Sequence, residues 1–218
     1  MLSTLKHIQS RRSDLKKEIN LTETFDQWEE TCVPSYCHKN WMAAYVSWQR
    51  LFRSVELAKK CRPNPERIMD FGSSVGELGH LLKETCSNYT YIEQDEAAAS
   101  YLASRLPHAT RTSLEDAQEG TYDWIFAIDS LEHNDNFAEL VQIISTKLTD
   151  NGIFVLSGPT ENALYKLGRK IAGFSGDYHK TNIYDIEDKC REHLELIRSS
   201  TIVPGMPLFS VTVWQKQQ

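Results

Sequence analysis

From residue 67 onward the hydrophobic pattern switches repeatedly between two periods, and this alternation limits the fold more than any other feature of the chain. R-I-M-D-F (67–71), Y-T-Y-I-E (89–93), a short run near 109–112 and Y-D-W-I-F-A-I (122–128) read as strands. Val75 to Cys86, Glu96 to Leu106 and Phe137 to Leu148 read as the helices between and after them. Asn151-Gly152 is expected to turn the chain into another strand, Ile153–Ser157. Two β-rich runs follow, Leu194–Val203 and Leu208–Gln215, joined by P-G-M-P as antiparallel partners. Alternating strands and helices build a parallel sheet through right-handed crossovers, with helices on both faces. Such a sheet binds ligands beyond the carboxyl ends of its strands, near the point where strand order reverses. Asp70, Glu93, Asp129 and Ser157 all fall at those ends and are expected to share one rim.

The first third of the chain reads differently. Residues 1–20 form an amphipathic pattern, with Leu5, Ile8, Leu15 and Ile19 on one face. An irregular stretch broken by Pro34 precedes a longer helix, from about Asn40 to Lys60, whose Trp41, Tyr45, Trp48, Phe52 and Val55 form a core-packing stripe. Pro63 and Pro65 close this preface, so residues 1–62 are expected to be a helical extension or cap and 63–218 the α/β domain. At 218 residues the chain is long enough to bury a sizeable core. Its net charge of -6 disfavours a phosphate-gripping nucleic-acid binder, and Lys6, Arg11, Arg12, Lys16 and Lys17 read as a solvated helix face. No apolar run approaches the ~20 residues of a membrane span, and the first ten residues lack the apolar core of a signal peptide. Five scattered cysteines read as free thiols, and the expected location is cytoplasmic. Cys32, Cys37 and His38 lack a second ligand pair for zinc.

The loop after the first strand, I-M-D-F-G-S-S-V-G-E-L-G, decides which nucleotide the rim suits. Its glycines, at 72, 76 and 79, do not fit the G-x-G-x-x-G dinucleotide fingerprint, which disfavours a nicotinamide-dependent oxidoreductase, and no Walker Lys follows. Asp70 before the turn repels phosphate but suits a ligand carrying a cationic amine or sulfonium.

Asp70-x-Gly72-x-x-x-Gly76 resembles motif I of the class I S-adenosylmethionine-dependent methyltransferases, Asp/Glu-x-Gly-x-Gly-x-Gly, with Ser74 replacing the middle glycine. Glu93 stands where that family's acid accepts hydrogen bonds from both ribose hydroxyls. Ser113 to Asp116 stand where it contacts adenine. Y-D-W-I-F-A-I-D-S-L-E-H resembles its fourth-strand pattern, and L-T-D-N-G-I-F-V-L resembles its fifth, with Asp150-Asn151 replacing Pro-Gly. The resemblance covers about residues 66–160, with weaker support to 215. It implies a doubly wound, Rossmann-like, mostly parallel seven-stranded α/β sheet with an antiparallel last strand, an N-terminal helical extension and an insertion over about 158–182. It also implies S-adenosylmethionine as cofactor, held by Asp70, Gly72, Ser73, Gly76, Glu93, Gln94, Leu114, Glu115 and Asp129. The implied activity is methyl transfer to an oxygen, or a nitrogen, of a small-molecule acceptor. A non-catalytic binding or regulatory protein of the same fold is the alternative.

D-S-L-E-H-N-D (129–135) leaves three roles open: lining the cofactor site, deprotonating an acceptor, or holding a metal. His133 and His179 are the candidate catalytic bases. The i, i+3, i+4 spacing of Asp129, Glu132 and His133 puts them on one side of a turn. That spacing resembles the Glu-x-x-Glu-His motif of methyltransferases that hold Mg²⁺ or Mn²⁺, with His179 as the expected later ligand. Tyr36, His38, Trp41, Tyr165, Arg169 and Lys170 flank the expected acceptor pocket. Motifs of adenine-N6 and cytosine-C5 DNA methylation do not occur.

Overall fold

The computed structural model describes residues 2–160, 162, 181–203 and 206–217. Helices α1 (Leu2–Glu18), α2 (Phe25–Trp28), α3 (Val33–Tyr36) and α4 (Trp41–Cys61) precede the sheet. Then follow β1 (Arg67–Phe71), α5 (Glu77–Leu82), β2 (Asn88–Ile92), α6 (Glu96–Arg105), β3 (Thr110–Arg111) and β4 (Tyr122–Ile128). After β4 come a 3-10 turn (Leu131–His133), α7 (Phe137–Lys147), β5 (Leu148–Pro159), α8 (Ile183–His193), β6 (Leu194–Val203) and β7 (Met206–Lys216).

The seven strands form one sheet in the order β3-β2-β1-β4-β5-β7-β6. β1, β2, β3, β4 and β5 are parallel neighbours, and β7 runs antiparallel between β5 and β6. This is the Rossmann-like fold that the strand–helix alternation implies. Strand order reverses between β1 and β4, so a crevice opens there at the carboxyl rim. Both faces are covered, and successive residues therefore bury on opposite sides. Ile68, Trp124, Phe126, Val155, Val211 and Val213 join the core under the N-terminal helices, α5 and α6. Met69, Ile125, Ala127, Phe154, Leu156 and Trp214 join the core under α7 and α8.

The preface is packed into the first of these cores. Ile8, Leu15, Ile19, Trp28, Val33 and Tyr36 belong to one cluster with Trp48, Leu51 and the sheet residues. Asn40 caps α4, its side chain accepting the Met42 N–H at 2.9 Å. Of the aromatic stripe on α4, Trp48 and Val55 are buried, whereas Trp41, Tyr45 and Phe52 pack at its margin. Among the described residues no helix is long and apolar enough to cross a membrane.

Three expectations differ from the structure. The helix expected from Val75 to Cys86 begins only at Glu77, because Ser74 and Gly76 are left-handed and hold the chain in a loop, and it ends at Leu82. The stretch around Pro34 contains a short helix, with Pro34 near its start, where a missing N–H costs nothing. Asn151-Gly152 does not precede β5 but lies inside it. Tyr122 pairs with Leu148 and Trp124 with Ile153, so residues 149–152 are taken up as a bulge. Most of the expected insertion and the Pro204-Gly205 turn lie outside the described residues.

Candidate active site

Strand β1 delivers Asp70 to the rim and then a loop that is left-handed at Gly72 (φ +73°), Ser74 (φ +48°) and Gly76 (φ +83°). Gly72 is obligatory, since a Cβ there would lie 2.4 Å from the Ser130 Cβ. The loop therefore runs against the segment leaving β4. It is moored to β2, because the Gly72 and Ser73 N–H groups both donate to the Ile92 carbonyl, at 2.9 and 3.2 Å.

The mooring places Glu93 beside the loop. Its Oε2 accepts the Ser74 N–H at 2.6 Å and its Oε1 the Asp95 N–H at 2.8 Å. Each oxygen keeps acceptor capacity, so two backbone donors aim a carboxylate without saturating it. Asp70 is 3% exposed and accepts a hydrogen bond from the Tyr89 hydroxyl. Burial pushes its carboxyl up to about 7, the Tyr89 bond opposing and the Glu93 charge adding to the rise. Asp70, Gly72, Ser73 and Ser74 line a small cavity together with Cys32, Tyr36, Leu51 and Ile128. Ser73 and Leu114 are buried, while Gln94 and Glu115 are exposed.

The D-S-L-E-H-N-D segment departs from the expected turn. Asp129 is left-handed (φ +50°), and its N–H donates to the Ser157 carbonyl at 2.8 Å. Leu131–His133 is a 3-10 turn, in which the α-helical i, i+3, i+4 spacing does not apply. Glu132 is fully buried and His133 is exposed, so the two neighbours point apart. Asp129 forms an ion pair with Arg50. Of the expected metal set Asp129, Glu132, His133 and His179, the first three are described, and Asp129 is paired with Arg50. Those three do not converge, and no group of three metal-ligating side chains occurs among the described residues. His179, Tyr165, Arg169 and Lys170 lie outside those residues. The described members alone do not offer Mg²⁺ or Mn²⁺ three converging ligands.

Arg50 and the contact of Cys32 with Ser74 escaped the sequence reading, and Arg11, expected on a solvated helix face, is instead largely buried in an ion pair. Arg50 reaches the rim from α4, pairs with Asp129 and stacks over the Phe209 ring at 4.8 Å. Its signal was visible, because position 50 falls on the buried stripe of Ser47, Leu51 and Ser54, where a charge needs a partner. Arg11 grips the buried Glu77 through two bonds, Nε to Oε2 at 2.9 Å and Nη2 to Oε1 at 2.8 Å. The Cys32 N–H donates to Ser74 Oγ at 3.2 Å. Nothing local in the sequence announces the last two, since the partners are 66 and 42 residues apart.

Residues 42–202 match the model of a family described as a methyltransferase domain. No curated protein is similar enough to match the chain. Among solved structures, magnesium protoporphyrin IX methyltransferase (ChlM) from Synechocystis PCC 6803 with bound S-adenosylhomocysteine is similar, with TM-score 0.65 and 14% identity over 88% of this chain and 94% of that one. The N-methyltransferase NodS from Bradyrhizobium japonicum WM9, also in complex with S-adenosylhomocysteine, gives 0.63 and 12% over 79% and 88%. The PH0226 protein from Pyrococcus horikoshii OT3 gives 0.66 and 11% over 88% and 99%. Motif loop, strand order and family match agree, and the chain belongs to the class I S-adenosylmethionine-dependent methyltransferase family.

Proposed function

We propose that the protein transfers a methyl group from S-adenosylmethionine to an oxygen, or a nitrogen, of a small-molecule acceptor. The observation that carries the reading is the moored loop: Gly72 admits no side chain against Ser130, and the Ser74 N–H aims the Glu93 carboxylate. These residues fit the cofactor. Glu93 would accept the ribose hydroxyls with its remaining lone pairs, and Gly72 and Ser73 would let the ligand approach the backbone. The rim also carries the acid Asp70 and the Arg50–Asp129 ion pair, polar groups that would meet the amino-acid end of the cofactor. Leu114 supplies a buried apolar surface beyond β3. When bound, S-adenosylmethionine supplies an electrophilic methyl on a sulfonium, and the protein's task is alignment and exclusion of water.

His133 and His179 are the proposed proton acceptors for a hydroxyl acceptor; an amine needs only desolvation and orientation. His133 is exposed just beyond the β4 rim. ChlM and NodS, the one a porphyrin methyltransferase and the other an N-methyltransferase, support a small acceptor but leave its atom open.

Calorimetric titration with S-adenosylhomocysteine tests the cofactor assignment. Glu93→Ala is expected to weaken binding about tenfold or more, equivalent to at least one charge-assisted hydrogen bond. No heat at high micromolar ligand, or unchanged affinity in the variant, would sink the assignment. Methyl release from labelled cofactor across an acceptor panel then separates an enzyme from a binding protein of the same fold.

A further inference from the structure

We propose that Arg111 is a positioning residue for the cofactor's ribose: it holds the turn that carries Glu93 and ties that turn to the segment expected at the adenine. The inference rests on the cofactor assignment above. Its starting point is how little backbone holds β3. This edge strand is two residues long, and its pairs with β2 are Thr90 with Thr110 and Tyr91 with Arg111. One further bond, from the Thr112 N–H to the Tyr91 carbonyl at 3.0 Å, carries the pairing to the strand's end. Strands usually run about three to ten residues, so a ladder this short leaves the carboxyl end of β3 in need of other ties.

Arg111 supplies them. Its Nη2 donates to the Glu93 carbonyl at 2.7 Å, reaching across from β3 to the first residue after β2. The guanidinium is itself aimed by Glu96 at the start of α6, with Nη1 donating to Oε2 at 2.9 Å and Nη2 to Oε1 at 2.6 Å. A planar fork presents these donors in fixed directions, whereas a lysine ammonium offers only a point charge.

The residue so held is the one whose side chain meets the ribose. Arg111 binds the Glu93 carbonyl, while the Ser74 and Asp95 N–H groups bind its carboxylate. Asp95 in turn caps α6, its Oδ1 accepting the Ala98 N–H at 2.7 Å. Glu93 is thus fixed from the loop after β1, from the cap of α6 and from β3. Arg111 also lies two residues before Ser113, whose hydroxyl accepts the Asp116 N–H at 3.1 Å in the segment expected at the adenine. One side chain therefore sets the spacing between the ribose acid and that segment. A carboxylate distinguishes ribose from deoxyribose only while its oxygens stay within hydrogen-bond range of both hydroxyls. Loosening the turn should erode this preference before it disturbs contacts elsewhere on the ligand.

Calorimetry on the full chain with two ligands tests the role: S-adenosylhomocysteine and its analogue lacking the ribose 2′-hydroxyl. The parent should prefer the first by about tenfold, the value of one charge-assisted hydrogen bond. Arg111→Gln and Arg111→Lys should weaken S-adenosylhomocysteine about three- to tenfold and the analogue less than about twofold, so that the preference shrinks. Glu96→Gln, which keeps Arg111 but loosens its fork, should lose part of the preference. In ligand-free protein, hydrogen exchange at the Asp95 amide should quicken about three- to tenfold in Arg111→Gln, while residues 122–128 of β4 keep their protection. Equal affinity of the parent for both ligands, equal weakening of both in the Arg111 variants, or an unchanged preference would each overturn the ribose role. Unchanged exchange at Asp95 would overturn the hold on the turn. If the parent binds no S-adenosylhomocysteine, the cofactor assignment and the ribose role fail together, and the Asp95 exchange still judges whether Arg111 holds Glu93 in place.

Discussion

Asp70 carries the cost of being an acid placed in a core. Burial raises its carboxyl from 3.8 to about 7, so the folded chain holds a proton there that the unfolded chain releases. The stabilisation from that proton is complete below about pH 4 and disappears as pH rises to about 7. Asp70→Asn removes the titration and keeps an acceptor for the Tyr89 hydroxyl. Between pH 4.5 and 7.5 the stability difference between variant and parent should therefore move in the variant's favour by about 2–3 kcal/mol, near 1.4 kcal/mol per unit. Urea unfolding at the two pH values measures it, and an equal difference at both would refute a buried ionisable Asp70. The role of such residues is read from the sequence in proportion to how local their environment is. Asp70, Gly72 and Glu93 sit where a strand end and a turn put them, and the motif spacing alone placed them on one rim. The spacing argument for Asp129, Glu132 and His133 assumes α-helical geometry, whereas Asp129 is left-handed and Leu131–His133 is a 3-10 turn. Arg50 could have been flagged as a charge on a buried stripe, but its partner could not, because Asp129 is brought to it only by the packing of α4 on the sheet.

At the level of elements, the N-terminal helices are joined to the cofactor loop by side chains distant in sequence. Arg11 of α1 holds Glu77 in the first turn of α5; the Arg11 side chain is 15% exposed and that of Glu77 1%. Burial pushes the Glu77 carboxyl up, and the Arg11 bonds oppose that rise. Removing one partner of such a pair leaves a buried carboxyl without compensation, a loss of about 2–4 kcal/mol, whereas exposed pairs contribute under about 1 kcal/mol. Arg11→Met is expected to fall in the larger range in chemical denaturation at pH 7. Adding Glu77→Gln should recover part of the loss, because a neutral amide is less costly to bury than a lone carboxylate. A loss below about 0.5 kcal/mol for Arg11→Met would show that the clasp contributes only as a surface pair does. Element types were legible where periodicity ran uninterrupted, as in α4, α6, β4 and α7. They were not legible where backbone geometry overrides pattern, as at the start of α5 and in the bulge of β5.

Across the whole molecule, the match to the methyltransferase family begins at residue 42, yet the core it needs begins earlier. Ile8, Leu15, Ile19, Trp28, Val33 and Tyr36 are buried against Trp48, Leu51 and the sheet, in the same cluster as Trp124 and Phe126. A buried side chain of this size contributes about 1.5–3 kcal/mol, less a fraction for residual burial in the unfolded chain. Six of them approach about 10 kcal/mol, as large as the whole net stability of an ordinary domain. Their removal also uncovers the apolar faces of α4, α5 and α6 that they cover. A chain lacking residues 1–38 is therefore expected to lose cooperative unfolding and to bind a hydrophobic dye, although every motif of the family remains in it. Thermal unfolding followed by near-ultraviolet circular dichroism provides the test. A single sharp transition within about 10 °C of the full chain would mean that residues 1–38 are an appended cap around a self-sufficient sheet domain. Loss of the transition would mean instead that the sheet domain cannot hold its core without residues 1–38.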